Sequence, residues 1–421
     1  MRSLTAQAPP AAQGRAARIL IVDDSAVMRA LLRSVVSSDA HLEVAGTASD
    51  GASALRTMES IRPDLVLLDV EMPGMDGVST LKQMKAAGIR IPVIMCSSLT
   101  QRGAKVTIEA LASGAADYVA KPAGQPSREA AVKSLAHDLV PKILALTASA
   151  TGGQQSHSIG AAFSPNPFSA PWTANRPPAE PRSVWPGQNP PISSPSAFSI
   201  PTAVPAPVLS APPASATPPA VLLIGVSTGG PAALDVLLPA LPASFPLPVL
   251  IVQHMPELFT KLLAERLNGR CPLRVTEAVA GEPVRAGSIY IARGDWHMEV
   301  AAGAQATPVL RLTQEQPENH CRPAVDVLFR TAVTVYGARI LAVVLTGMGY
   351  DGLAGSRIIC EHGGTLLAQD QQTSAVWGMP GAVAHAGLAH RILPLNAIAP
   401  EILRLTGRSQ REAIELRESA V

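Results

Sequence analysis

The sequence is poor in residue types on which several protein classes depend. Aromatic residues make up 3% of the 421 positions, and the four cysteines, at positions 96, 271, 321 and 360, form no CxxC motif. This spacing argues against a local zinc or redox motif and against a disulfide-stabilised scaffold. Lys and Arg number 34 against 32 Asp and Glu, which argues against a nucleic-acid partner and a polybasic membrane anchor.

Long apolar runs are also missing. Segments such as Leu20–Val22 and Val221–Val226 are far shorter than the roughly 20 residues that span a bilayer. The N-terminal residues are rich in Ala, Pro and Gln and lack the apolar core of a secretory signal. We therefore expect a cytoplasmic protein without direct membrane insertion, whose residues 1–16 are disordered.

Proline, in contrast, is abundant, with 39 residues, and many of them lie with Ser and Ala between positions 148 and 219. Closely spaced prolines prevent a persistent helix or central strand, so residues 148–219 are predicted to form an extended linker. Two interpretations of its aromatic residues stay open, a solvated tether or a segment that docks on a flanking domain. These aromatic residues are Phe163, Phe168, Trp172, Trp185 and Phe198.

Both flanking regions alternate short apolar runs with amphipathic stretches. Residues 17–147 contain five strand–helix pairs, from Ile19–Val22 to a last helix near Arg128–Leu146. This alternation predicts a doubly wound parallel α/β sheet of the flavodoxin-like kind. The alternation resumes over residues 220–408 and predicts a second, Rossmann-like parallel-sheet domain, with a hairpin near Ala301–Leu312. The charged residues 409–421 are predicted to form a tail.

Polar residues follow the predicted strands of the first domain. Asp23 and Asp24 follow the first strand, Asp69 the third, Ser97 the fourth and Lys121 the fifth. The carboxyl ends of parallel strands meet at one edge of a sheet, so these side chains are expected to lie together. Clustered carboxylates favour Mg²⁺, and one of them can attack a phosphoryl group.

These motifs resemble the receiver domain of bacterial response regulators over about residues 18–121. The matching segments are VDDS at 22–25, DVEMPGMDG at 69–77, MCSS at 95–98 and DYVAKP at 117–122. The resemblance implies a phospho-acceptor, Asp69, and an Mg²⁺ site formed by Asp23, Asp24, Asp69 and the backbone of Glu71. It also implies three switch or phosphate contacts, which are the Ser97 hydroxyl, the Tyr118 ring and the Lys121 amine.

A glycine-rich turn joins the first strand of the second domain to its first helix. The segment runs Gly225-Val226-Ser227-Thr228-Gly229-Gly230-Pro231, which puts Ser227 at a helix N-terminus where backbone N–H groups can hold an anion. Two chemistries stay open, a phosphate cradle for a nucleotide and a nucleophilic serine in an elbow-type turn. A dinucleotide site would need an acidic residue about 20 positions further on, and His254 lies near that place instead.

A nucleophilic serine needs a base, and the base needs a group that orients it. His254 directly follows the next predicted strand, and Asp351 follows a later one. We therefore expect Ser227, His254 and Asp351 to meet at one sheet edge and to act as nucleophile, base and orienting acid. Backbone N–H groups near Thr228 or Met348 are the candidates for binding the oxyanion.

The second domain resembles the catalytic domain of chemotaxis-specific protein-glutamate methylesterases over about residues 220–405. The matching segments are GVSTGG at 225–230, QHM at 253–255, GDWHM at 294–298, RPAVD at 322–326, LTGMGYDG at 345–352 and WGMPG at 377–381. The resemblance implies a serine hydrolase that demethylates glutamyl methyl esters on the cytoplasmic domain of methyl-accepting chemoreceptors, deamidates receptor glutamines and needs no cofactor for the ester reaction. It further implies that a chemotaxis histidine kinase phosphorylates Asp69, which relieves inhibition by the receiver domain.

Some features depart from this pattern or leave alternatives. Arg293 stands where the family more often has Pro, Cys321 stands where His or another polar residue is common, and the linker is unusually long. Another orienting acid, Asp326 with His362 or His385, lacks the matching placement at strand ends. A nucleic-acid-binding output lacks a basic recognition helix after the linker, whereas a non-catalytic scaffold stays an alternative.

Overall fold

The computed structural model of the chain describes residues 15–98, 100–122, 125–148, 217–304 and 307–407. Nearly all of the predicted linker, the predicted tail and most of the predicted N-terminal segment lie outside these residues. The described residues form two parallel sheets, each flanked by helices, which confirms the predicted fold class. None of the described helices combines the length and the apolar character needed to cross a membrane.

The first sheet has five parallel strands in the order β2-β1-β3-β4-β5. Central strands β3 and β4 are buried along their whole length because helices cover both faces, which explains their continuous apolar sequences. The strands are β1 Ala17–Val22, β2 Leu42–Ala48, β3 Leu65–Asp69, β4 Val93–Ser97 and β5 Asp117–Ala120. The helices are α1 Ala26–Val36, α2 Gly51–Ile61, α3 Gly77–Ala86, α4 Gln101–Ser113 and α5 Arg128–Thr147.

A small polar side chain caps the N-terminus of each helix in this first domain. Each of these side chains accepts a hydrogen bond from the backbone N–H three residues further on, which satisfies a donor without a partner inside the helix. The caps are Ser25, Asp50, Asp76, Thr100 and Ser127. Capping therefore fixes where the chain turns from each strand edge into the following helix.

The second sheet has seven parallel strands in the order β14-β13-β12-β6-β7-β9-β8. Its strands are β6 Val221–Val226, β7 Val249–Gln253, β8 Arg274–Glu277, β9 Ser288–Ile291, β12 Ile340–Val344, β13 Thr365–Gln369 and β14 Arg391–Leu393. Its helices are α6 Gly230–Leu237, α7 Glu257–Asn268, α8 Val325–Tyr336, α9 Leu353–Glu361, α10 Met379–His385 and α11 Leu395–Leu405. A separate antiparallel hairpin, β10 His297–Ala302 with β11 Pro308–Thr313, confirms the predicted hairpin but begins earlier.

The two domains pack directly against each other through one edge of the receiver-like sheet. Helix α4 of the first domain lies against α6 and α7 of the second. The Tyr118 ring stacks on the Phe259 ring with 4.5 Å between their centroids, and both side chains are buried. The carboxyl-terminal edge of the second sheet therefore lies beside the loop that precedes β5.

Candidate active site

Three neighbouring strands position the predicted catalytic residues. Strand β6 lies between β12 and β7, with Gly225 paired to Val344 and Val226 paired to Gln253. Ser227 follows β6 and His254 follows β7, so these two residues start from adjacent strand ends. The loop after β12 carries Asp351 to the same edge, as the sequence predicted.

His254 and Asp351 form a close pair. The His254 Nε2 atom lies 2.7 Å from the Asp351 Oδ2 atom. Asp351 also accepts backbone hydrogen bonds from Val325 (2.6 Å) and Asp326 (3.1 Å) at the start of α8. Burial raises the pKa of Asp351, but the hydrogen bond from His254 and these amides outweigh burial and lower it. A helix N-terminus thus holds the carboxylate in its ionised form.

A second buried carboxylate lies beside this pair. Asp326 is 2% exposed, and burial followed by the charge of Asp351 raises its pKa to about 6. The Asn319 side-chain amide donates to both carboxylates, at 2.9 Å to Asp326 Oδ2 and 2.9 Å to Asp351 Oδ1. Asp326 also accepts a hydrogen bond from the backbone N–H of Gly355. Both of its carboxylate oxygens are therefore bonded beside Asp351, and among the described residues it has no histidine partner.

The other nitrogen of His254 faces a thiol. The Cys321 Sγ atom lies 3.6 Å from His254 Nδ1. Burial lowers the pKa of His254, but the hydrogen bonds to Asp351 and Cys321 outweigh burial and raise it to about 10. Within the described residues, no hydrogen bond joins the Ser227 hydroxyl to the imidazole. In this conformation the imidazole is therefore bonded to Asp351 and Cys321, and Ser227 follows the adjacent strand end.

The backbone of Ser227 is held on several sides. Its N–H donates to the Thr346 carbonyl at 3.0 Å, and its carbonyl accepts from Gln253 Nε2 at 3.0 Å. A Cβ atom at Gly347 would lie 2.8 Å from the Ser227 Cβ, so a side chain there would displace the serine. Gly229 has a φ of 79°, a conformation that glycine adopts without strain. These contacts fix the turn on which the hydroxyl is carried.

Two contacts from the first domain reach this turn. The Gly229 N–H donates to the Ala116 carbonyl at 3.0 Å, and the Thr228 hydroxyl donates to Asp117 Oδ2 at 2.6 Å. Both bonds lie within two residues of Ser227. The receiver-like domain therefore occupies a backbone donor beside the predicted nucleophile, whereas Met348, the other oxyanion candidate, is 36% exposed.

The acidic edge of the first domain forms the cluster expected from the sequence. Asp23, Asp24 and Asp69 each offer a carboxylate oxygen within 4.8 Å of the others. Lys121 Nζ lies 2.9 Å from Asp23 Oδ2 and 2.7 Å from Asp69 Oδ1. Burial raises the pKa of Asp69 even though Lys121 opposes this shift. This all-oxygen donor set fits Mg²⁺, which coordinates carboxylates and water.

Two predicted switch residues, Ser97 and Tyr118, are buried near the acidic cluster of the first domain. The buried Ser97 hydroxyl accepts a hydrogen bond from the Thr107 hydroxyl at 2.6 Å, so it is hydrogen-bonded to Thr107 and not to Asp69. The buried Tyr118 ring stacks on Phe259, and its carbonyl accepts from Lys142 Nζ at 2.7 Å. The predicted switch aromatic, Tyr118, is thus part of the domain interface.

Sequence reasoning missed several residues of the site. Asn319 lies in a loop without periodicity, and its only sequence signal was its position shortly before the RPAVD segment. Cys321 departs from the family pattern in the sequence, but its contact with His254 depends on tertiary folding. The sequence indicates oxyanion donors near Thr228 or Met348, and nothing in it singles out the neighbouring Gly229 N–H.

Two family models match the chain, one for each of the two parallel-sheet domains. The family model for the response regulator receiver domain matches residues 19–133, and the model for CheB methylesterase matches residues 222–402. Among solved structures, the Thermotoga maritima CheB methylesterase catalytic domain is 41% identical, with a TM-score of 0.44, and the match covers 45% of this chain and 100% of that chain. The response regulator domain of Thermotoga maritima CheB is 40% identical, with a TM-score of 0.28, and the match covers 31% of this chain and 94% of that chain.

Full-length relatives extend the match over nearly the whole chain. A protein-glutamate methylesterase/protein-glutamine glutaminase from Nocardioides sp. is 45% identical, with 93% of this chain and 96% of the relative covered. A protein of the same description from Trichodesmium erythraeum is 42% identical, with 93% and 99% covered. The chain therefore belongs to the protein-glutamate methylesterase/protein-glutamine glutaminase family, in which it combines a receiver domain with a CheB methylesterase domain.

Proposed function

We propose that the chain is a phosphorylation-regulated serine hydrolase that demethylates glutamyl methyl esters of chemoreceptors and deamidates receptor glutamines. The observation that carries this proposal is the buried Asp351–His254 pair, 2.7 Å apart, at the strand end next to Ser227. An imidazole fixed by a carboxylate beside a serine on a helix N-terminus is the arrangement that acyl transfer needs.

In the proposed reaction, His254 accepts the Ser227 proton through Nδ1, since Nε2 is held by Asp351. The serine attacks the ester carbonyl, methanol leaves, and water then hydrolyses the acyl-enzyme to give the receptor carboxylate. Two rearrangements precede attack. The ring has to leave Cys321, one of the two partners that raise its pKa, so that Nδ1 becomes a free acceptor, and the Ser227 hydroxyl has to bond to that atom. Catalytic hydrogen bonds often tighten only when substrate binds.

The oxyanion is proposed to bind backbone N–H groups of the turn after β6. Gly229 joins the earlier candidates Thr228 and Met348, because its N–H already binds a carbonyl oxygen, that of Ala116. Losing one such donor typically costs on the order of 10²–10³ in rate. For this donor to serve the reaction, the first domain has to withdraw.

Regulation is proposed to act through that withdrawal. Asp69 is the proposed phospho-acceptor, and Asp23, Asp24 and Asp69 with the Glu71 carbonyl would hold Mg²⁺, which neutralises phosphoryl charge when bound. Lys121 would then bind the phosphoryl oxygens. A rotation of Tyr118 toward Ser97 would remove its ring from Phe259 and weaken the interface.

The remaining features of the proposal concern the whole protein. We propose a cytoplasmic enzyme that takes its phosphoryl group from a chemotaxis histidine kinase and acts on the cytoplasmic domain of methyl-accepting chemoreceptors. Its division into receiver (17–147), linker (148–219) and catalytic domain (220–408) follows the sequence composition. The relatives of similar length that carry this description support the assignment.

The test is methanol release from methylated chemoreceptor by the purified full chain. Ser227→Ala should abolish release while thermal unfolding stays unchanged. Ser356→Ala is a suitable control, because Ser356 is a buried serine whose hydroxyl has no hydrogen-bond partner among the described residues. Release by Ser227→Ala at the wild-type rate would refute the assignment.

A further inference from the structure

Cys321 contacts Nδ1 of His254, the nitrogen that is proposed to accept the Ser227 proton. Its Sγ is 3.6 Å from His254 Nδ1, while His254 Nε2 is held by Asp351 at 2.7 Å. Hydrogen bonds from the α8 amides favour the ionised form of Asp351. The ionised Asp351 in turn stabilises a positively charged imidazole. The thiol can therefore pass its proton to the ring when it reacts, and the thiolate that forms in that step is the nucleophile.

The other cysteines lack this environment. Cys96 is fully buried, and burial raises the pKa of both Cys271 and Cys360 to about 11. These two thiols are half-buried, as Cys321 is, but the Cys360 thiol donates to the Leu388 carbonyl and Cys271 lies near Asp235, so among the described residues neither contacts an imidazole. The chain thus supplies its own matched controls.

We propose that Cys321 is a peroxide-sensitive modification site whose oxidation switches off the hydrolase. The loss of activity rests on the proposed function, whereas the reactivity of the thiol does not. A peroxide small enough to enter the cleft is the oxidant, and the product is a sulfenic acid next to His254. The sulfenic acid hydroxyl would form a hydrogen bond with His254 Nδ1, the atom that has to accept the Ser227 proton.

The chemistry balances with hydrogen peroxide as the co-reactant. Cys321 passes its proton to His254, and the thiolate attacks one peroxide oxygen, so that an S–O bond forms and the O–O bond breaks. The leaving hydroxide takes the proton from His254 and becomes water, while sulfur loses two electrons and the peroxide gains them. Two equivalents of a small thiol return the cysteine, with release of water and the small-molecule disulfide.

The experiment exposes the full chain to hydrogen peroxide with dimedone, which traps sulfenic acids, and quantifies the adduct at each cysteine by mass spectrometry. Cys321 should be labelled at least about tenfold faster than Cys271 and Cys360. His254→Ala should lower the labelling rate of Cys321 to that of the other two thiols, and Asp351→Asn should lower it in part. Because two variants test the same point, the result does not depend on both of them folding. Equal labelling of the three thiols would overturn the proposal.

A second measurement follows methanol release after peroxide treatment without dimedone. Wild type should lose activity and regain it with a thiol reductant, whereas Cys321→Ala should retain most of its own untreated rate. Cys360→Ala should lose activity as wild type does. If Cys321→Ala is inactivated just as fast, the proposed switch is wrong. If untreated wild type releases no methanol, the proposed function fails and the labelling rates still decide the reactivity of the thiol.

Discussion

At the scale of single residues, the site is organised around one buried carboxylate with several partners. Asp351 accepts from the His254 ring, from the Asn319 amide and from two amides of α8. Each donor favours the ionised form, and together they outweigh the cost of burial. Burial, and then the charge of this carboxylate, raise the pKa of its neighbour Asp326, so the protonation of one acid affects that of the other.

Asn319 should be a positioning residue, because its amide separates two acids that would otherwise repel each other. It adopts a φ of 52°, which glycine tolerates, so Asn319→Gly removes the amide without adding strain. Losing a hydrogen bond to a charged group costs about 1.5–3 kcal/mol, and we expect kcat to fall about tenfold or more with little change in KM.

The control for this prediction is His320→Gly, since His320 is the next residue, is exposed and also has a positive φ, 62°. It should leave kcat near the wild-type value. A kcat that falls equally in both variants would show that the loop conformation, and not the amide, is what matters.

Asp326 should make stability depend on pH. Its pKa rises from 3.8 to about 6 on folding, so its stabilising contribution is full below about pH 4 and is lost as the pH rises through 6. Asp326→Asn should therefore gain stability relative to wild type between pH 4 and 7.5, by on the order of 2–3 kcal/mol.

Denaturant unfolding of both proteins across this pH range measures the difference. The altered hydrogen bond to Asn319 adds an offset that does not depend on pH, so the slope is the informative quantity. A difference that stays flat from pH 4 to 7.5 would contradict the assignment of the raised pKa.

At the scale of elements, the strand edge and the helix ends do most of the chemical positioning. The α8 N-terminus holds Asp351, and the α6 N-terminus carries Ser227 and the Gly229 N–H. Ala116 and Asp117, at the start of β5 in the other domain, accept hydrogen bonds from the turn that leads into α6. In the proposed mechanism, catalysis and its inhibition therefore use the same few backbone groups.

Asp117→Ala should raise activity in the absence of phosphorylation. It removes the acceptor of the buried Thr228 hydrogen bond, 2.6 Å long, and leaves the catalytic domain unaltered. A bond of about 1.5–3 kcal/mol would change the ratio of open to closed protein by roughly 10- to 100-fold. Methanol release without phosphodonor is the measurement.

Asp138→Ala is the matched control. Asp138, like Asp117, lies near Lys142 Nζ (3.3 Å and 3.7 Å), but its side chain is 50% exposed. It should keep the low basal rate. Basal release that is unchanged in Asp117→Ala would argue against this contact as an inhibitory element.

At the scale of the whole molecule, the two domains share one interface, and Lys121 of the proposed phosphorylation site lies close to it in the sequence. Lys121 links Asp23 and Asp69, and the neighbouring strand residue Tyr118 lies on Phe259. A charge change at Asp69 thus occurs a few residues from the contact with the catalytic domain. Inverting a 1:99 equilibrium would need about 5.5 kcal/mol, so partial opening is expected.

A small acyl-phosphate donor with Mg²⁺ should stimulate methanol release by wild type but not by Asp69→Asn. Asp76→Asn controls for substitution in the same loop, because Asp76 caps α3 and Asn is an equally good cap. Chelation of Mg²⁺ should abolish the stimulation and leave the basal rate unchanged. Stimulation of Asp69→Asn to the wild-type level would place the acceptor elsewhere.

Much of this organisation was predictable, because most of the principal side chains lie at or directly after the end of an apolar strand, and Asp351 lies in the loop after one. Ser227, His254 and the Asp23–Asp69 cluster are located by strand ends alone. Strands β13 and β14 were not predicted, and β14 has only three residues, too few to show periodicity. The contacts of Asn319 and Cys321 depend on how an irregular loop folds back on α8, which no local pattern encodes.

The bond between the Gly229 N–H and the Ala116 carbonyl has a consequence for kinetics. A carbonyl from the same chain and the carbonyl of an incoming ester would compete for one amide. Such an intramolecular competitor raises the apparent KM and leaves the rate at saturation unchanged. Densely packed methylated receptors would then draw the cleft open by mass action, and signalling through the kinase would matter most where esters are scarce.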